Sequence, residues 1–271
     1  MYGKRIRLVK IQVGGFMYGV VIGDLAGSIY EYNQTKEIIS VIPDKIISKN
    51  SFYSDDTILT IAIIDAILHD KNYDYYLRKY IKDYKDYKPN FSPYFKTPFS
   101  PNLIKWSESN IMGTSCGNGA IMRISPIGYM FDSEEEVIEN AYLATIPTHN
   151  KKEAIDAAVL VARIIYHARH GLTKREIFNK LNIKTDYKPF TKFNMTCDET
   201  LYKCLYMLEN SNNFENAIRK TLLMGGDTDT NCAIVGSMAE AFYGIDKKLI
   251  EEANKKIPDN FQKMLVRGYN V

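Results

Sequence analysis

The sequence predicts an all-α protein, a single mostly helical domain. Strand signals, which are short alternating runs rich in β-branched and aromatic residues, are nearly absent along the 271 residues. Two stretches, Ile58–Leu68 and Asn231–Tyr243, are apolar almost all round, the pattern of helices buried on every side. Others repeat apolar residues at helical spacing, as Lys151–His170 does with Ala154, Ala157, Ala158, Val161 and Ile165. No internal repeat or low-complexity tract divides the chain, so its length is read as one domain.

Lys4, Arg5, Arg7 and Lys10 precede an apolar run from Gly14 to Ile22, a faint likeness to a secretory signal. Asp24 interrupts the run and no small-residue cleavage site precedes it. Residues 1–16 therefore read as an extension and 17–271 as the domain. Gly15, Gly19, Gly23 and Gly27 recur every four residues, so on a helix they form one smooth stripe open to another backbone. Asp24 and Glu31 are seven apart and share a face if that helix persists. Glu31 is then either an exposed helix end or a group that meets a site. After a loop with Pro43, Ser54-Asp55-Asp56-Thr57 heads the Ile58–Leu68 helix. Tyr73–Tyr87 reads as an amphipathic surface helix whose aspartates argue against a nucleic-acid face.

Pro89, Pro93, Pro98 and Pro101, interleaved with Phe91, Tyr94, Phe95 and Phe99, read as a loop rather than a helix. In Gly113–Arg123, three glycines and small polar residues lead into a short apolar segment. Backbone N–H groups in such a turn can cradle a phosphate, although the Lys-Ser/Thr ending of a P-loop is missing. Ser133 before Glu134-Glu135-Glu136 marks a helix start, and that helix ends near Pro147. Thr148-His149-Asn150 introduces Lys151–His170, where His149 either caps the helix or touches a ligand. Gly171 ends that helix and Thr173 starts a shorter one. A polar connection runs from Lys184 to Asn194. Helices are then expected at Cys197–Glu209, at Phe214–Met224, from Asp227, and at Asp246–Lys256.

A net charge of +3 is too mild to call for nucleic acid. Cys116, Cys197, Cys204 and Cys232 form no C-x-x-C pair and no zinc spacing with His69, His149, His167 or His170, which fits a reduced, cytoplasmic chain. No run approaches the roughly 20 apolar residues of a membrane span. Cys116 with His149 would suit a thiol hydrolase, but nothing in the sequence brings them together.

The chemistry concentrates in Gly225-Gly226-Asp227-Thr228-Asp229-Thr230 and in Ser54-Asp55-Asp56-Thr57. Each places two carboxylates and flanking hydroxyls at the start of a buried helix. One carboxylate per helix is an ordinary cap; each motif carries one more than a cap needs. If both helices start at the same end of the core, four carboxylates converge, which is costly unless hard divalent cations with oxygen ligands relieve it.

Together with Gly23-Asp24-Leu25-Ala26-Gly27-Ser28-Ile29-Tyr30-Glu31, Gly117–Arg123 and Thr148-His149, these motifs resemble the ADP-ribosylglycohydrolase family, in the family's order from about Met17 to Tyr243. The resemblance implies a compact single-domain orthogonal helical bundle holding two divalent cations, Mg²⁺ or Mn²⁺, in a cleft that binds ADP-ribose. It places metal ligands at Ser54, Asp55, Asp56, Asp227, Asp229 and Thr230, with Ser54 where threonine is usual. It places a glutamate near the metals at Glu31, and the acid–base role at Glu31, Asp55 or Asp56. The ligand loop falls on Thr114, Ser115, Cys116, Gly117, Asn118 and Gly119, and a ligand-contacting histidine on His149. The implied activity is hydrolysis of the bond between ADP-ribose and a modified protein side chain, by a monomer without membrane or nucleic-acid partners. The alternatives are hydrolysis of a small conjugate such as O-acetyl-ADP-ribose, or ADP-ribose binding without turnover. Acceptor choice is assigned to residues 32–50 and 88–112.

Overall fold

The glycine stripe of the first helix is pressed against the helix that begins at Thr228, and the rest of the core is arranged around that pair. The computed structural model describes residues 17–31, 44–89, 97–186 and 193–269. Its helices are α1 (Tyr18–Gly27), α2 (Asp55–Leu68), α3 (Tyr73–Tyr84), α4 (Pro101–Ser107), α5 (Gly119–Met122), α6 (Ser125–Met130), α7 (Glu134–Thr145), α8 (Lys152–Arg169), α9 (Lys174–Lys180), α10 (Cys197–Glu209), α11 (Phe214–Met224), α12 (Thr228–Tyr243), α13 (Lys247–Asn254) and α14 (Asp259–Tyr269). Among the described residues there are no strands, only single-residue bridges from Thr114 to His149 and from Gly117 to Thr196. None of these helices is long and apolar enough to cross a membrane.

The contact between α1 and α12 is the most extensive in the fold. A Cβ at Gly19 would sit 2.2 Å from the Gly236 carbonyl oxygen, one at Gly23 2.0 Å from that of Cys232, and one at Gly27 2.3 Å from that of Thr228. Bare backbone is what lets the two helices run this close. The other face of α1 carries Val20, Val21, Ile22 and Leu25, all fully buried. At its start, Met17 has a left-handed backbone and offers no side-chain cap. Glu240 of α12 supplies one instead, accepting the Gly19 amide at 2.7 Å. Burial pushes Glu240 up to about 8.

α2 is buried from Asp56 to Ile64, and α12 from Thr228 to Glu240, as their apolar sequences require. α11 and α10 flank α12, and α8 packs on α7 and α6. α9 opens with a reciprocal capping box between Thr173 and Glu176. α10 and α11 have the bounds the sequence suggested.

Two readings that the sequence left open, for Glu31 and His149, are decided, and two features, Pro101 and α14, depart from expectation. α1 stops at Gly27, so Glu31 does not share a helix face with Asp24. Pro101 is not in a loop: it occupies the first turn of α4, where its missing N–H has no partner to lose, behind a Ser100 cap. α14, unforeseen beyond Pro258, buries Phe261 and Leu265 against α2 and α6. His149 does not cap α8, which starts after Lys151. The extension 1–16, Pro93 and its neighbouring rings, and residues 32–43 of the acceptor region lie outside the described residues.

Candidate active site

The starts of α2 and α12 meet at one end of the core. Ser54 caps α2, its hydroxyl accepting from the Asp56 amide at 3.3 Å and donating to Asp56 Oδ2 at 3.1 Å. Across the junction, Thr230 Oγ1 donates to the same Asp56 oxygen at 3.3 Å. Gly225 and Gly226, both at positive φ, turn the chain from α11 into α12, a conformation other residues rarely hold. Asp227 stands at the cap position of α12 but makes no capping bond. Its Oδ2 instead accepts from Asn118 Nδ2 at 2.7 Å. Asp229 Oδ1 accepts from the Thr230 amide at 2.9 Å. A cap is therefore the role of Ser54, not of Asp227.

Carboxylate oxygens of Asp24, Asp56 and Asp229 lie within 4.8 Å of one another, as do those of Glu31, Asp227 and Asp229. Asp24, Asp56, Asp227 and Asp229 are buried; Glu31 and Asp55 are partly exposed. Burial and then the charges of Asp24, Glu31 and Asp227 push Asp55 well above the ordinary carboxylate range. Burial, Asp24, Asp55 and Asp227 do the same to Asp56, and burial, Glu31, Asp227 and Asp56 to Asp229. Asp227 is raised as well, chiefly by burial, against hydrogen bonds and the charge of Lys203. Burial lifts Asp24 to about 6. Among the described residues, Oδ1 of Asp24 and Oδ1 of Asp56 have no hydrogen-bond partner. Buried acceptors of that kind call for a partner outside the chain.

The Gly113–Gly119 loop is held on both sides. The Ser115 amide donates to Thr148 O and the Asn150 amide to Gly113 O, while the Asn118 amide donates to Met195 O and the Cys197 amide to Cys116 O. The Gly117 amide donates to Ser115 Oγ at 3.0 Å, and Cys197 Sγ–H to Gly117 O at 2.8 Å. The ring of His149 lies behind the loop, within 3.4–3.9 Å of where Cβ atoms on Gly119 and Gly117 would be. Its Nδ1 is 2.6 Å from Thr148 Oγ1, which accepts from the buried Arg123. Burial and then Arg123 push His149 down to about 3, so the ring is neutral. Burial brings Arg123 to about 10. Cys116 is exposed, and among the described residues its thiol makes no hydrogen bond to His149, the pairing that a thiol hydrolase needs.

The sequence motifs thus converge as expected, with Glu31 joining them from the turn after α1. Several participants were given no site role in the sequence reading: Asp24, Thr57, Arg123 and Thr148 stood only as members of its motifs, and Lys203 was not singled out. Asp24, Thr57, Arg123, Thr148 and Lys203 are buried in or beside the site. A signal for Asp24 existed: it is a charge inside an otherwise apolar, glycine-striped helix. Arg123 had one too, as a charge closing a short apolar segment; Lys203 had none, because a lone base in an amphipathic segment looks like surface.

A family model described as ADP-ribosylglycohydrolase matches residues 9–263. Among curated relatives, ADP-ribosylhydrolase ARH3 of Mus musculus is 22% identical, with 86% of this chain and 84% of that protein aligned. ADP-ribosylarginine hydrolase Tri1 of Pseudomonas putida is 22% identical, with 85% and 70% aligned. ADP-ribosyl-[dinitrogen reductase] glycohydrolase of Rhodospirillum rubrum is 28% identical over a shorter region, 48% of this chain and 47% of that protein.

Proposed function

Because this chain belongs to the ADP-ribosylglycohydrolase family and is a glycohydrolase enzyme, we propose that it is metal-dependent and releases ADP-ribose from a modified protein side chain. The observation that carries the metal dependence is the cluster of buried carboxylates with unpartnered oxygens at the joined starts of α2 and α12. Carboxylate and hydroxyl oxygens suit hard divalent cations such as Mg²⁺ or Mn²⁺. Ser54, Asp55, Asp56, Asp227, Asp229 and Thr230 are the residues that would hold two of them. Such ions, when bound, supply Lewis-acid stabilisation and lower the pKa of bound water.

The chain's own groups account for the rest. Departure of the acceptor from the anomeric carbon builds oxocarbenium-like positive charge, which a carboxylate-lined cleft favours. Proton transfer falls to Glu31 or Asp55, the partly exposed members; Asp56 is fully buried and already accepts two hydroxyl bonds. The Thr114–Gly119 loop would receive the diphosphate. The Ser115, Gly117 and Asn118 amides are already used inside the protein, which leaves those of Thr114, Cys116 and Gly119 for the ligand. Neutral His149 acts as an orienting hydrogen-bond donor or acceptor, not as a cation.

Two experiments test this. ADP-ribose release is measured from ADP-ribosyl-arginine, ADP-ribosyl-serine and O-acetyl-ADP-ribose, with Mg²⁺ or Mn²⁺ and with EDTA. Release from a side-chain conjugate that EDTA abolishes is expected. Release from O-acetyl-ADP-ribose alone would overturn the acceptor class, and release undiminished by EDTA the metal dependence. In the second, Gly117→Val adds bulk where a Cβ would crowd Ser115 Oγ at 3.2 Å, a side chain that must yield slightly, and would meet Met195 O at 3.6 Å and His149 Nε2 at 3.9 Å in ordinary contact; circular dichroism first establishes that the variant is folded. Its ADP-ribose affinity by calorimetry should fall by about tenfold or more, roughly 1.4 kcal/mol. Unchanged affinity in a folded variant would put the diphosphate elsewhere.

A further inference from the structure

We propose that Asp24, outside the ligand set above, is a positioning residue that holds the ligand-bearing turn of α2 in place and so sets the affinity of the centre for divalent ions. The inference rests on reading the carboxylate cluster as a metal centre. Asp24 lies in the last turns of α1 and is completely buried. Its Oδ2 accepts from the Ser54 amide at 2.8 Å, the Thr57 amide at 3.2 Å and the Thr57 hydroxyl at 2.6 Å. Ser54's own side chain satisfies only the Asp56 amide at this helix start. Asp24 therefore completes the cap from a different helix, on both sides of Asp55 and Asp56.

A cap alone requires much less than this. A serine or asparagine at the helix start would serve without placing a charge in the core. Asp24 brings a second oxygen that has no partner among the described residues, and one of its oxygens lies within 4.8 Å of oxygens from both Asp56 and Asp229. The same turns of α1 also grip the other half of the site. Gly27 lies against Thr228 and Asp229, and Thr228 Oγ1 donates to Gly27 O at 3.0 Å. Ser28 Oγ accepts the Phe52 amide at 3.2 Å, just before the α2 start. Between the two helix starts themselves, the direct hydrogen bond among the described residues is the 3.3 Å contact from Thr230 to Asp56. The end of α1 is thus the fixed piece against which both halves are registered, and Asp24 is its link to α2. Loss of a partner that orients a metal ligand typically costs about 10–100-fold in metal affinity.

The test is Mn²⁺ binding to the metal-stripped full chain, followed by the electron paramagnetic resonance signal of free Mn²⁺, alongside thermal melts. Asp24→Asn keeps an acceptor for the amides and removes the charge. Thr57→Val keeps the charge and shape and removes one donor. Asp24→Asn is expected to weaken Mn²⁺ binding by about 10–100-fold, and Thr57→Val to weaken it less, in the same direction. A folded Asp24→Asn protein that melts differently but binds Mn²⁺ as tightly as wild type would make Asp24 a structural cap only and overturn the inference. If Asp24→Asn does not fold, Thr57→Val decides, and an unchanged affinity overturns it equally. Wild-type protein that binds no Mn²⁺ would overturn the metal-centre reading itself, and the inference with it.

Discussion

Gly23→Ala is expected to abolish most of the folded population. At an open helical position the same change would stabilise by up to about 1 kcal/mol, because alanine is the better helix former. Here the new methyl would lie 2.0 Å from the Cys232 carbonyl oxygen, 2.3 Å from its carbon and 2.5 Å from the Ala233 nitrogen, whereas ordinary contact begins at 3.4 Å. All three obstacles are main chain, so no side-chain rotation relieves the clash. α1 and α12 must move apart, and Gly19 and Gly27 lose their contacts with Gly236 and Thr228 in the same step. The buried Val20, Ile22 and Leu25 would then border voids. A loss beyond about 4 kcal/mol falls in the range reserved for such core disruptions and is comparable to the whole stability of many domains. Urea melts followed by circular dichroism check it. An unchanged or raised midpoint would mean that the two helices are not in backbone contact.

The second large effect is that Asp229→Asn spares or raises the stability of the metal-free protein while it shrinks the stabilisation by metal. In the metal-free protein burial raises Asp24 to about 6, and burial with repulsion from neighbouring carboxylates raises Asp55, Asp56 and Asp229 well above the ordinary range. A carboxyl whose folded pKa is raised holds its proton in the folded state after the unfolded chain has lost it. Its contribution is complete below the unfolded value of about 4 and is lost as pH rises through the folded value. Metal-free protein should therefore lose stability from about pH 4 upward, through 6 and beyond. Divalent ions need the ionised carboxylates, so they should restore that stability, increasingly so at higher pH and concentration. Two unit charges about 4 Å apart repel by roughly 4 kcal/mol at an effective dielectric near 20, before relaxation. Asp229→Asn removes one such charge and keeps the acceptor that the Thr230 amide uses. Without metal, at neutral pH, the variant should be as stable as wild type or more so. Its activity should fall sharply and its metal-induced shift in Tm should shrink. Melts of both proteins at pH 5 and pH 8, in EDTA and then in millimolar Mg²⁺ or Mn²⁺, make the comparison. Equal shifts in the two proteins would falsify a ligand role for Asp229.

How far the sequence could be read depended on whether a residue's role was local. α10 and α11 were legible to the residue because apolar period, caps and breakers all lie within them. The convergence of Asp55 and Asp56 with Asp227 and Asp229 was legible because each pair exceeded what capping requires. Asp24 was not, since its role depends on Ser54 and Thr57, 30 and 33 residues away. Pro101 misled because the same ring that breaks a helix interior suits a helix start. The anchoring of the Gly113–Gly119 loop was invisible: single-residue bridges to His149 and Thr196 leave no periodic trace. Burial of Arg123 and Lys203 follows from neighbours contributed by several helices.

The pairing of α1 with α12 joins segments 201 to 221 residues apart, as the bonds from Thr228 to Gly27 and from Gly19 to Glu240 record. During synthesis α1 and α2 leave the ribosome long before their partner exists. Until then α2 can pack on α3 and α1, but the glycine-striped face of α1 has nothing to close on, the situation in which nascent chains aggregate or recruit chaperones. Closing so distant a contact also carries a large loop entropy and slows folding. The carboxylates of α2 stay hydrated through this period, because the repelling set from α12 has not arrived. Electrostatic strain thus enters at the final docking step rather than at the start. Divalent ions present at that moment would act on the last barrier to the native state, leaving the early collapse of the amino-terminal helices unchanged.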